Sequence, residues 1–152
     1  MTEIRTRPLF ALRLQVAEMQ PIGPAPAGER RVGVVAGGTF QGARLSGTVL
    51  SGGSDWIIAR PDGAWTLDVR LVLKTTDGAL IGMTYKGLRH GSAEVMAKVA
   101  RGEPVPPEDL YFRTVIQFET AAPAYAWLNR CFAIGVGRRP PEGPVYEVFE
   151  LL

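Results

Sequence analysis

The sequence predicts an all-β domain: a closed, antiparallel, lipocalin-like β-barrel of about eight or nine strands with one short helix. Three observations lead there. Most segments alternate apolar and polar residues with the period of two that belongs to strands. Only Ser92–Arg101 carries start and stop signals for a helix. Glycines interrupt several strand patterns, which supplies the coiling that closure of a small barrel requires.

In chain order, Pro8–Val16 alternates cleanly, with Phe10, Leu12, Leu14 and Val16 on one face and Arg13 and Gln15 on the other. Gln20–Glu29 contains Pro21, Pro24 and Pro26, which cannot donate to a ladder, and reads as a loop. Arg31–Ala36 is a second strand. Gly37–Leu50 runs through Gly42 and Gly47 to the Gly52-Gly53 turn, and Asp55–Arg60 is a short strand ended by Pro61-Asp62-Gly63. Trp65–Thr75 and Ala79–Lys86 flank Thr76-Asp77-Gly78, a hairpin signal. Ser92 caps the helix, Val95, Met96 and Val99 form its apolar stripe, and Gly102 stops it. Tyr111–Thr120, Leu128–Arg138 and Val145–Leu151 complete the strands, with a single helical turn expected in Pro123–Trp127.

The 152 residues fit one domain, 1–152. Seventeen basic and 15 acidic residues leave a formal charge of +2, so neither nucleic acid nor membrane is expected as a partner. Cys131 is the only cysteine and His90 the only histidine, which excludes a disulfide and argues against a zinc site. No metal and no cofactor are expected: the sequence holds no phosphate-cradling glycine loop ahead of a helix and no Gly-x-Ser-x-Gly elbow. His90, in Gly87-Leu-Arg-His-Gly91, reads as a loop residue shaping a strand-to-helix turn. Without a leader pattern or a long apolar run, a cytoplasmic location is expected.

The chemistry-bearing residues recur at intervals of two inside strands. Asp68 and Arg70 share one face of Trp65–Lys74; Tyr111, Arg113 and Glu119 share one face of Tyr111–Thr120. The opposite faces are apolar: Leu67, Val69, Leu71 and Leu73 in one, Phe112, Ile116 and Phe118 in the other. Two arrangements compete. Either the apolar faces fill the barrel and the charges are solvated, or the polar faces line a cavity and the apolar faces pack between subunits. The second implies a homo-oligomer, a dimer or tetramer.

In the cavity arrangement, Asp55 or Asp68 is the general acid or base, Arg70 and Arg113 bind a carboxylate or enolate oxygen, and Tyr85 and Tyr111 donate hydrogen bonds. Trp56 contacts the apolar body of the ligand. Asn129 joins them, and the cavity is expected to open toward the Gly52-Gly53 turn. The function that follows is small-molecule binding. It is either a cofactor-independent lyase, hydratase or isomerase acting on a small, partly apolar compound, or a non-catalytic carrier of an acidic apolar ligand.

Several spaced stretches carry a family resemblance: Gly37-Gly-Thr-Phe-x-Gly through Asp55-Trp56, Asp68-Val-Arg70, Thr76-Asp-Gly-Ala79, Gly87-Leu-Arg-His-Gly91, Tyr111-Phe-Arg113 and Tyr125-x-Trp-Leu-Asn129. Over nearly its full length the chain resembles the bacterial and fungal DUF3237 family. The resemblance implies a small closed barrel similar to lipocalin-like and allene-oxide-cyclase-like barrels, marks Asp55, Arg113 and Asn129, and implies no established activity. Barrels of that kind bind apolar small molecules, and some catalyse cyclisation or the addition and loss of water.

Overall fold

A computed structural model describes Met1–Leu152 as nine antiparallel strands with one helix. The strands are β1 (Thr6–Ala25), β2 (Gly28–Gln41), β3 (Ser46–Val49), β4 (Gly53–Ala59), β5 (Trp65–Thr75), β6 (Leu80–His90), β7 (Tyr111–Glu119), β8 (Phe132–Arg138) and β9 (Val145–Leu151). The helix, α1 (Ala93–Ala100), crosses between β6 and β7, and 3-10 turns occupy Pro107–Asp109 and Pro123–Arg130. Ser92 caps α1 as expected, its hydroxyl accepting the Val95 amide at 3.2 Å.

Pairing runs β1-β9-β8-β7-β6-β5, passes to β3 and β4, and returns through β2 to β1, closing the sheet. The strands β3 and β4 lie end to end between β2 and β5, so nine strands fill eight positions around the wall. Gly47 shows why glycine is required there: a Cβ at this position would collide with the Lys74 carbonyl on β5. The Gly52-Gly53 turn therefore sits partway along the wall, where β3 hands over to β4, not at an open end.

Three segments differ from expectation. Leu128–Arg130 belongs to the 3-10 turn, so β8 begins only at Phe132. Gln20–Glu29 is strand, not loop: β1 runs on to Ala25 against β2, whose other side pairs with β4 over Glu29–Val35. Pro21 and Pro24 are tolerated because β9 pairs β1 only over Thr6–Arg13, leaving the outer edge of β1 free beyond that point. The sixth strand extends to His90, which pairs with Tyr111 instead of shaping a loop.

The apolar faces point inward. Leu67, Val69, Leu71 and Leu73 of β5 and Phe112, Ile116 and Phe118 of β7 are all buried in one core cluster. The arrangement with charges lining the barrel is thereby overturned, and the reason for expecting an oligomer, surplus apolar strand surface, falls with it. The outer wall still exposes Val115 and Phe132. No helix is long and apolar enough to cross a membrane.

Candidate functional site

The interior changes character along the barrel. At the end holding the termini and the β2–β3, β5–β6 and β7–β8 connections, Phe10, Phe40, Leu73, Ile81, Phe118 and Leu128 fill the space. Ring centroids of Phe10–Phe40 and Phe10–Phe118 lie 5.5 and 6.0 Å apart. Toward the opposite end, under α1, the inward positions become Asp55, Tyr85, Arg89 and Tyr146, walled by Trp65 and Phe112.

Each of these side chains is placed by strand alternation. Tyr85 and Arg89 lie four residues apart on β6, hence on one face, opposite Val69 and Trp65 of β5. Phe112 faces Arg89 across β6–β7, and Tyr146 faces Gly137 across β8–β9. The two tyrosines meet edge to face, centroids 5.4 Å apart, and the Tyr85 hydroxyl donates to the Tyr146 hydroxyl at 3.2 Å. Burial raises both phenols well above their ordinary range, so both stay protonated.

Arg89 is the unusual member. It is 6% exposed, and its Nε is buried with no hydrogen-bond partner. No carboxylate forms an ion pair with it. Its guanidinium lies 5.0 Å from the ring centroids of both Trp65 and Phe112. Burial lowers its basicity, with the charge of Arg139 adding to the effect and Tyr146 and Asp55 opposing it. Buried charges are normally paired, so a guanidinium held between two rings with no ion pair is unusual.

Asp55 stands where the β4–β5 ladder opens: residues pair at Asp55–Val69 and again at Ile58–Thr66. Its carboxylate accepts the Asp68 backbone amide at 3.2 Å. Burial raises it to about 6, against the lowering effects of that hydrogen bond and of Arg89. Such a carboxyl exchanges its proton near neutrality, which suits a general acid or base. The guanidinium of Arg31 lies 4.7 Å from the Trp65 centroid, so the ring that Arg89 approaches has a second cation beside it.

Of the residues singled out in the sequence, only Asp55 and Tyr85 belong to this interior. Asp68 lies on the outer wall, bonded to Lys86 at 2.5 Å, because its neighbours Leu67 and Val69 take the inner face. Arg70 is exposed beside it for the same reason. Tyr111 is outside, stacked on His90 at 4.8 Å. Arg113 faces outward between buried Phe112 and Thr114 and donates to the Phe112 carbonyl. Trp56 is outside, its indole NH on the Ser54 hydroxyl and the Arg30 guanidinium 5.8 Å from its ring. Asn129 is at the far end of the barrel, pairing both its amide groups with the backbone of Thr120.

Arg89 and Tyr146 escaped the sequence reading. A usable signal for Arg89 existed, since alternation continues through Tyr85, Gly87 and Arg89, but the run Gly87–Gly91 resembles a loop. Tyr146 had none: either face of Val145–Leu151 is mixed.

Comparison with known proteins follows this architecture. UPF0311 protein RPA1785 of Rhodopseudomonas palustris is 34% identical over 149 residues, 98% of this chain and 97% of the relative. Its crystal structure matches with a TM-score of 0.96 over all of both chains. A beta-barrel like protein from Acinetobacter baumannii matches with a TM-score of 0.87 at 38% identity, covering 100% of this chain and 98% of the other. An enzyme from Penicillium herquei shares the fold with a TM-score of 0.77 at 22% identity, over 100% and 97% of the two chains. The model of the family described as "Protein of unknown function (DUF3237)" matches residues 4–151, and the chain belongs to that family.

Proposed function

We propose that the polar end of the barrel binds a small, partly apolar organic acid and catalyses a cofactor-independent proton transfer on it, of the lyase, hydratase or isomerase type. The observation that carries this reading is Arg89, a buried guanidinium without a counter-ion, in the same interior as a carboxyl raised to about 6. A buried cation without an ion pair costs stability. A carboxylate or enolate oxygen supplies its missing partner, and the apolar walls of Trp65 and Phe112 receive the rest of the ligand.

In this reading Asp55 takes a proton from carbon next to a carbonyl, and Arg89 holds the oxygen on which negative charge develops. The hydroxyl proton of Tyr146 is free to donate, because its oxygen accepts the bond from Tyr85. Return of the proton from Asp55 to a different carbon gives isomerisation; departure of a β-hydroxyl with a proton gives loss of water. The enzyme from Penicillium herquei supports only the compatibility of such a barrel with catalysis.

Incubation of a panel of enolisable oxo acids in D2O, followed by proton NMR, tests the reading. Catalysed exchange of the carbon-bound proton is expected for wild type, with loss in Asp55→Asn. Tight binding across the panel without exchange would instead favour a carrier, in which Arg89 binds and Asp55 has no chemical part.

A further inference from the structure

We propose a second, outer binding site: a cleft on the barrel rim that takes a dianionic oxyanion through Arg13 and Arg139. The cleft has a volume of about 380 Å³ and lies between the β8–β9 loop and the segment after α1. Its walls include Pro104, Pro107, Pro140 and Pro141, and its charged groups are Arg13, Arg138 and Arg139. No acidic side chain lines it.

The three arginines are not equivalent. Arg138 is partly neutralised by Glu147 at 3.7 Å. Arg139 donates only to the carbonyl of its neighbour Pro140, at 3.1 Å. Arg13, exposed on β1, forms no side-chain hydrogen bond or ion pair. Glu142 lines an adjoining cleft that shares Arg13 and Pro140, and it pairs with neither Arg13 nor Arg139.

Two uncompensated guanidinium groups in one cleft repel each other, and a single ligand with two negative charges relieves both. The proline walls cannot donate hydrogen bonds, so the arginines are the main donors, and their planar forks suit carboxylate and phosphate oxygens. A phosphate monoester and a dicarboxylate present the same chemistry to this cleft. The site does not depend on the interior reaction.

Titration of the full-length protein at low ionic strength with inorganic phosphate and, separately, succinate, read by amide chemical shifts, tests the proposal. At least one dianion is expected to bind, shifting residues of the cleft, and the stronger of the two identifies the source. The double variant Arg13→Gln/Arg139→Gln is expected to lose about tenfold or more in affinity, with an unchanged unfolding midpoint, while Arg70→Gln, exposed on β5 and outside the cleft, binds as wild type. No binding of either dianion, wild-type affinity in the double variant, or loss of binding in Arg70→Gln would each overturn it.

Discussion

Two inward-facing charges, one near each end of the barrel, are treated in opposite ways. Glu150, 8% exposed at the end holding the termini, accepts Arg7 at 2.9 Å and Arg44 at 2.5 Å, and Arg44 in turn lies 4.2 Å from the Trp127 ring centroid. Burial opposes its ionisation, yet the two arginines outweigh that and hold it below the ordinary carboxylate range. Arg89, equally buried under α1, has no such partner. One end is finished as structure. The other keeps a charge that folding alone does not explain, and stability given up locally is a common mark of a functional site.

The two carboxyls should therefore respond to pH with opposite signs. Asp55 is raised in the folded protein, so its contribution is fully present below the unfolded value of about 3.9 and is lost as pH rises through about 6. At about 1.4 kcal/mol per pH unit of separation, the penalty above pH 6 is roughly 3 kcal/mol. Urea unfolding should show Asp55→Asn gaining on wild type at pH 7 and losing that advantage near pH 4. Glu150 is lowered, so its contribution is present above its unfolded value and lost on acidification.

Substitution separates the two charges at constant pH. Glu150→Gln should cost about 2 kcal/mol, the range for hydrogen bonds to charged groups, by denaturant unfolding at pH 7. Arg89→Met keeps much of the volume and removes the unpaired cation. It should unfold no earlier than wild type, with a gain of about 1 kcal/mol once lost cation–π contacts are set against relief of desolvation. A smaller effect is expected on the outer wall. Arg113→Met should change stability by less than about 0.5 kcal/mol and leave binding of any oxo acid unaltered, because the side chain points away from the interior.

Much of the architecture was legible in the sequence. Trp65–Thr75 and Val145–Leu151 have the expected bounds, and the Asp77-Gly78 hairpin and the Ser92 cap are where alternation and turn chemistry put them. The site was less legible. Period two states that Asp68 and Arg70 share a face but not which face closes inward; packing decides that, and the bulky Leu67, Val69, Leu71 and Leu73 win the interior. Asp55 and Tyr85 were legible for different reasons: Asp55 ends the family-like stretch with Trp56 at a strand entrance, and Tyr85 follows Ile81 and Met83 on one strand face. The last turn of β6 was lost to its glycines. A Cβ at Gly87 would press on the Leu67 and Thr114 side chains, so the residue that suggested a loop sits at a tightly packed position of a strand.

The most direct test is a titration of the Asp55 side-chain carboxyl, followed by carbon-13 NMR in wild type and in Arg89→Met. The account predicts a wild-type midpoint near 6 and a higher one in Arg89→Met, because the guanidinium charge lowers the carboxyl that burial raises. A midpoint near the ordinary value of about 3.9, unchanged on removal of Arg89, would contradict it.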